Sequence, residues 1–184
     1  MPVLGDEVSV YPPTLLDDDP VEPGERRWWV LYTKARQEKA VARELVGYAV
    51  PFYLPLIGKT SHYRGRAVRS RIPLFPGYLF LLGSEEERVR ALMTNRISRL
   101  LEVADPDQLL HDLRQICRVI ASDAPLTIEN RLTAGNRVRV RHGPMAGVEG
   151  TVVTRRGKTR LLVSVNFLQR GASVEIDDYL LEPV

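Results

Sequence analysis

Along this 184-residue chain the apolar positions switch between strand-like and helix-like spacing, and each switch marks an element. Residues 28–33 (Trp-Trp-Val-Leu-Tyr-Thr) are an aromatic, β-branched run that predicts a strand. Residues 34–47 predict a helix: Val41 with Leu45, and Ala42 with Val46, lie four apart on one face, and Gly47 suits the C-cap. A short strand bounded by proline follows at 51–56. Lys59, Arg64, Arg66, Arg69 and Arg71 then crowd a turn containing Gly65. Residues 72–82 are apolar and aromatic, interrupted by Pro73, Pro76 and Gly77. Ser84 before Glu85, Glu86 and Glu87 opens a second helix, with acids at its positive end. Residues 99–103 read as a strand. Asp105-Pro106 starts a third helix, with a cap and a proline at its first position. Leu109, Leu113, Ile116, Cys117 and Ile120 form its apolar stripe.

These elements place a compact α/β domain at residues 26–122. Residues 1–25 carry Pro2, Pro12, Pro13, Pro20 and Pro23 among acids, with little apolar period. They read as a flexible tail, because so little apolar surface cannot offset the entropy of ordering. The other reading is an autoinhibitory strip over a basic body. Residues 123–132 have no long pattern and read as an interdomain linker. Residues 133–184 are all-β in character. Residues 137–141 (Arg-Val-Arg-Val-Arg) alternate strictly, a half-buried strand with one arginine face. Turns fall at 142–144 and 156–158, and further strands at 159–167 and 173–176. About fifty residues of short strands suggest a small closed barrel, which removes exposed edges.

Charge changes the picture. The net charge is +3, yet residues 1–25 hold seven acids and no Lys or Arg, so the remainder carries +10. Twenty-two of the 26 cations are arginine, whose fork suits phosphates and carboxylates. An acidic segment on a basic body points to a polyanion or an acidic protein surface as partner; a plain solvated, arginine-rich surface is the competing explanation. No stretch approaches about 18 consecutive apolar residues, so no membrane-spanning helix is expected. The N-terminus lacks a basic region followed by an apolar one, so no secretory signal is expected. One cysteine excludes an internal disulfide framework. A cytoplasmic protein is the resulting expectation. No long exposed heptad pattern appears, so a monomer is expected.

The search for catalysis is mostly negative. Cys117 and His111 are six apart, whereas helix neighbours are three or four apart, so a buried structural cysteine is the better reading. His62 and His142 have no carboxylate or thiol spacing beside them. Asp17, Asp18 and Asp19, like Asp177 and Asp178, are adjacent acids rather than a general acid–base pair. No glycine-rich phosphate loop precedes a helix. Neither an enzyme, a metal nor a cofactor is expected.

Two constellations say more. Residues 73–80 (Pro-Leu-Phe-Pro-Gly-Tyr-Leu-Phe) give a bent strand entry, after which Tyr78 and Phe80 share one face. With Trp29 and Tyr32 on adjacent strands they would make an aromatic patch fit for a protein partner such as an amphipathic helix, although aromatics in strands are usually buried. Residues 135–153 run strand, turn, strand: Gly143-Pro144 makes the turn, and Gly147 and Gly150 supply positive φ or close backbone approach.

Residues 135–153 resemble the KOW motif of transcription and translation proteins. The strand at 28–32 leading into a helix at Lys34, together with residues 73–78, resembles the NGN domain. That order resembles the NusG/Spt5 family of transcription elongation factors over about residues 27–184. The resemblance implies an α+β chain: an N-terminal NGN-type α/β sandwich with an antiparallel sheet, then a small SH3-like KOW barrel at 133–184. It implies a non-enzymatic factor that docks on the clamp helices of the RNA polymerase β′ subunit and suppresses pausing. Positions matching the clamp-helix surface are Tyr32, Phe75, Tyr78 and Phe80, with Trp29 nearby. Lys34, Gln37 and Arg96 match positions where specialised members meet non-template DNA.

In housekeeping members the KOW domain recruits Rho or a small-subunit ribosomal protein through a segment with a Phe-Gly-Arg tripeptide. Here the matching stretch is Phe167-Leu168-Gln169-Arg170, so Phe167, Leu168 and Arg170 are the partner-binding candidates and Leu-Gln replaces Phe-Gly. Together with the residues at 31–34 and 73–76, this looks closer to the RfaH-like antiterminators. The intact glycines Gly143, Gly147 and Gly150 predict a stable β-barrel rather than a helical, fold-switching domain. A housekeeping factor acting with Rho is the second reading. A KOW-containing RNA-binding or ribosome-associated module, using the arginine face at 137–141 and Arg155, Arg156, Lys158 and Arg160, is the third.

Overall fold

The computed structural model describes residues 7–17 and 24–184. The chain forms two units, which meet in sequence between Pro106 and Asp107. The acids Asp6, Asp18, Asp19 and Glu22 and the prolines Pro2, Pro20 and Pro23 lie outside the described residues.

The first unit is built on a five-stranded antiparallel sheet. Its strands are β1 (Val10–Tyr11), β2 (Arg27–Thr33), β3 (Phe52–Tyr53), β6 (Tyr78–Gly83) and β7 (Ile97–Glu102), in the order β1-β3-β6-β2-β7. Between β3 and β6 the chain makes a separate two-stranded ribbon, β4 (Leu56–Tyr63) with β5 (Arg66–Pro73). Two helices complete the unit, α1 (Glu38–Gly47) and α2 (Glu85–Met93). Residues of even parity on β2 share a face with their partners on β6, since Val30 pairs with Phe80 and Tyr32 with Tyr78. The odd positions Trp29 and Leu31, with Leu79 and Leu81 of β6, pack with Val41, Ala42 and Leu45 of α1 and Ala91 of α2 in one core.

The helix ends follow local chemistry. The Ser84 hydroxyl accepts from the Glu87 amide and the Glu87 carboxylate accepts from the Ser84 amide, a complete capping box for α2. Glu87 is also gripped by Arg26, whose Nε and NH2 donate to it at 2.9–3.2 Å. α1 begins four residues later than expected, because Arg36 takes φ +60° and breaks the helical run after Lys34. Gly47 is its last residue but not its cap, which is Tyr48. The left-handed position is Ala49, and the Val50 and Ala49 amides donate to the Leu45 and Val46 carbonyls. Val50 is fully buried, and that apolar contact sets the helix end where a glycine would usually do so.

The flexible tail expected over residues 1–25 does not hold for 7–17. Val10 and Tyr11 pair with Tyr53 and Phe52. Ser9 exchanges two hydrogen bonds with Leu54, its carbonyl accepting from the amide and its hydroxyl donating to the carbonyl. The Tyr11 ring stacks on Phe52 at 6.5 Å, Leu16 is buried, and Glu7 pairs with Arg43 at 2.7 Å. One open sheet edge and one cation are enough to order a segment whose composition reads as unstructured.

The second unit holds α3 (Pro106–Ala121) and a six-stranded antiparallel sheet. Its strands are β8 (Leu126–Glu129), β9 (Arg137–Val140), β10 (Glu149–Arg155), β11 (Lys158–Val165), β12 (Arg170–Glu175) and β13 (Leu181–Pro183), in the order β13-β9-β10-β11-β12-β8. The stretch read as a linker over 123–132 contains β8, which pairs with β12 from Leu126↔Val174 to Gly171↔Glu129. Helix α3, expected with the first domain, makes contacts that group it with this unit. Its Asp112 carboxylate accepts from the Asn166 amide and its Gln115 side chain accepts from the Glu149 amide, each at 2.9 Å. Its apolar stripe is Leu109, Leu113, Ile116 and Val119; Cys117 and Ile120 are only half-buried. Among the described residues no ladder joins β13 to β8, so the sheet has two edges where a closed barrel was expected. Gly147 takes φ +85°, and a Cβ at Gly150 would stand 2.5 Å from the Leu162 carbonyl oxygen. Residues 137–183 are strands and short turns.

Burial pushes the Asp112 carboxyl above its ordinary value, against the pull of the Asn166 amide and the Gln108 side chain. The folded chain therefore holds this proton to higher pH than the unfolded chain. The resulting stability is fully present below the ordinary value of 3.8 and is lost as pH rises through the raised one. Asp112→Asn keeps an acceptor for Asn166 without the buried charge. Its unfolding free energy, by denaturant titration, is expected to gain on the parent between acid and neutral pH; a gap independent of pH would contradict this.

Candidate functional site

The aromatic candidates divide by strand parity and by the turn before β6. Phe75-Pro76-Gly77-Tyr78 is a tight turn closed by the Tyr78 amide on the Phe75 carbonyl at 3.0 Å. Proline stands second and Gly77, at φ +88°, third, the pattern of a type II turn. The turn is pinned twice. The Gly77 amide donates to the buried Glu38 carboxylate at 2.7 Å, and the Gly77 carbonyl accepts from the Thr33 amide at 2.8 Å. The Tyr32 ring lies on Gly77 so closely that a Cβ there would come within 2.9 Å of it.

Tyr32 and Tyr78 meet across the β2–β6 ladder, ring centroids 5.1 Å apart and planes tilted 49°. Tyr32 is 39% exposed and Tyr78 half-buried, so this pair is the accessible part of the patch. Phe75 and Phe80 are completely buried and act as its support. Trp29 lies on the opposite face, in the helix-side core. Its indole N–H donates to the Gly83 carbonyl at 3.4 Å, with the Arg27 and Arg88 guanidinium groups each 5.6 Å from the ring. It does not join the tyrosines.

Lys34, Gln37 and Arg96 do come together. The Lys34 amide donates to the Arg96 carbonyl at 2.8 Å, and Lys34 Nζ donates to the Asn95 carbonyl at 2.7 Å. Arg96 donates to the Gln37 side chain and, through Nε, to Glu44 at 2.7 Å. Sequence reading missed Glu44 and Asn95. The first was findable, because Gln37 and Glu44 are seven residues apart, two helical turns on one face. Glu44 lowers the charge this cluster presents, leaving Lys34 as its exposed cation beside Arg96.

On the second unit, Phe167 and Leu168 sit on the 3-10 turn after β11, Phe167 37% exposed. Gln169 follows with φ +52°, and Arg170 opens β12 opposite Val165. The arginine face at 137–141 is partly neutralised. Arg139 donates to Glu149 through Nε and NH2 and lies 4.0 Å from Glu182, while Arg137 and His111 stand 3.7 and 3.9 Å from Glu149. The Arg139 hydrogen bond holds the Glu149 carboxyl below its ordinary range. Arg155 lies near Glu129, Lys158 near Glu175, and Arg160 bonds Ser173 and Thr127.

Among the described residues no group of three His, Cys, Asp or Glu side chains is placed to hold a metal, and no helix is long and apolar enough to cross a membrane.

Gly77→Ala places a side chain at a left-handed φ and against the Tyr32 ring. A loss of about 1–3 kcal/mol in unfolding free energy is expected, with altered Tyr32 fluorescence or ring NMR signals. A neutral substitution would show that the turn is not what holds the tyrosine.

A family model described as transcription termination factor nusG matches residues 26–131. No curated protein matches the chain.

Proposed function

This chain belongs to the NusG family, whose members are transcription factors that bind RNA polymerase, and from that membership we propose that it is an elongation and antitermination factor. It docks on the clamp helices of the β′ subunit through the face bearing Tyr32 and Tyr78. The carrying observation is that tilted, accessible tyrosine pair, set on a turn pinned by Glu38 and Thr33, with Phe75 and Phe80 buried. Tyrosine supplies large contact area with few rotatable bonds, so a pre-positioned pair loses little entropy on docking. Binding one clamp conformer better than another shifts the polymerase toward that conformer, and suppression of pausing follows without chemistry. Lys34, Gln37 and Arg96 lie together, as a contact with the non-template strand requires. Their share of affinity is electrostatic and falls with salt.

The second unit is read as a KOW domain that recruits a further partner, a small-subunit ribosomal protein or Rho, through Phe167, Leu168 and Arg170. Gln169 holds a left-handed φ at the position matching the glycine of the family's Phe-Gly-Arg tripeptide. That conformation supports the match, and its occupation by Gln, after Leu168, supports the RfaH-like reading over Rho recruitment. The RNA-binding alternative loses part of its support, because Glu149, Glu129 and Glu175 pair with Arg137, Arg139, Arg155 and Lys158, while Arg141, Arg156 and Arg160 meet no carboxylate among the described residues.

Because Phe75 is core, the test uses the accessible pair. Truncating a central interface tyrosine costs about 2 kcal/mol or more, so Tyr32→Ala/Tyr78→Ala is expected to weaken binding to the cognate core polymerase by at least about tenfold. Circular dichroism should show the fold retained, and unchanged affinity would overturn the docking site. In reconstituted transcription through a Rho-dependent terminator the parent chain should raise readthrough. Increased termination would favour the housekeeping reading instead.

A further inference from the structure

The β4–β5 ribbon takes no part in the site just described. It pairs with no other strand, from Leu56↔Pro73 at its base to Tyr63↔Arg66 at its end. Every residue from Gly58 to Arg71 is exposed. At about 3.4 Å per residue, each arm carries about 20 Å of strand beyond the buried base. That stretch contains Lys59, Arg64, Arg66, Arg69 and Arg71 and no acid.

Among the described residues, most arginines in the rest of the first unit are paired with acids, Arg36 and Arg99 being the exceptions, and the ribbon's are not. Arg26, Arg27, Arg43, Arg88, Arg90 and Arg96 each meet a carboxylate. Among the described residues Lys59, Arg64, Arg66 and Arg69 meet none, and Arg71 donates only to the Glu7 carbonyl, at 3.2 Å. The pairing register puts Arg69 and Arg71 on one face with Thr60 and His62, and Lys59 and Arg66 on the other with Tyr63. The turn is Arg64-Gly65, with φ of +49° and +76°. Two positive φ values mark a type I′ turn, whose first position favours Asn, Asp or Gly. Here it is occupied by an arginine, which sets a fifth cation at the tip and lays its guanidinium 5.3 Å from the Tyr63 ring centroid.

We infer that this ribbon is a duplex-DNA contact that grips the phosphates of both strands from within the major groove. That groove, about 12 Å wide, admits a two-stranded ribbon. The ribbon's two strands lie only about 4.8 Å apart, which leaves room for its long side chains to reach outward. Entering tip first, it turns one cationic face to each phosphate wall. The deep, narrow major groove of A-form RNA does not admit it. Five cations and no acid make the phosphates the main contact, and phosphate contacts carry affinity without reading sequence. This contact stands apart from polymerase docking and is measured without polymerase.

The test is fluorescence anisotropy of the full chain with a mixed-sequence DNA duplex of two helical turns, titrated over salt. The same strand unpaired and an RNA hairpin serve as competing probes. Removing one cation from a phosphate lowers the slope of log affinity against log salt by about 1, so Lys59→Gln/Arg66→Gln/Arg69→Gln should lower it by about 2–3 and weaken low-salt binding by about tenfold or more. Arg64→Gly relaxes the turn while removing one cation, so its weaker binding cannot be blamed on a broken ribbon. Arg155→Gln/Arg156→Gln, on the second unit, should leave the slope unchanged. Absent duplex binding, an unaltered slope in the ribbon variants, a reduced slope confined to the second-unit variant, or tighter binding of single strand or RNA would each overturn the assignment.

Discussion

A single buried carboxylate organises the candidate surface. Glu38 opens α1, where the helix dipole favours an acid, and its carboxylate reaches the amide of Gly77 in a different loop. Through that bond the start of a helix, the end of β2 and the entry to β6 are fixed to one another, because Thr33 holds the other side of the same glycine. The tyrosine pair inherits its position from this junction. The Tyr32 ring lies on the bare face of Gly77, a place that any side chain there would fill. The proposed docking surface is thus held by backbone bonds beneath it, and is formed in the chain alone.

The distribution of carboxylates decides what each basic region is free to do. On the second unit Glu149 draws Arg139, Arg137 and His111 into one network, and that strand face is partly neutralised. Around the first sheet the same pairing holds, with Glu44, Glu85, Glu86, Glu87 and Glu102 each engaging an arginine. Among the described residues of the first unit, the ribbon is where cations gather without such answers. Counting arginines along the chain cannot separate these cases; the position of each acid does.

Much of the fold could be read in advance where pattern and chemistry agree. The β2 run, the Ser84 capping box and the alternation of Val138 and Val140 are local signals, and each element stands within a residue or two of its expected place. What escaped reading depends on distant partners. β8 is a four-residue strand defined by β12, more than forty residues later, and α3 is assigned by bonds to Asn166 and Glu149. The ribbon read as a turn because neither of its faces is apolar, so no period betrays a strand. Within the site, strand parity alone was enough to place Trp29 and Tyr32 on opposite faces, since they are three residues apart. The burial of Phe75 was not legible, as it follows from how the turn folds back under the tyrosines.

The shortest strand in the first sheet's interior has a consequence for how copies of this chain meet. β3 contributes two residues, Phe52 and Tyr53, both large, aromatic and buried. Without β1 their outer backbone groups would form an open, apolar edge, the kind that recruits strands from other molecules. Val10 and Tyr11 close it with two residues, and Pro12 immediately after has no amide to offer a further strand. Residues 10–12 therefore act as a cap on sheet growth at the aromatic edge, by pairing it and then offering a residue that cannot extend the ladder.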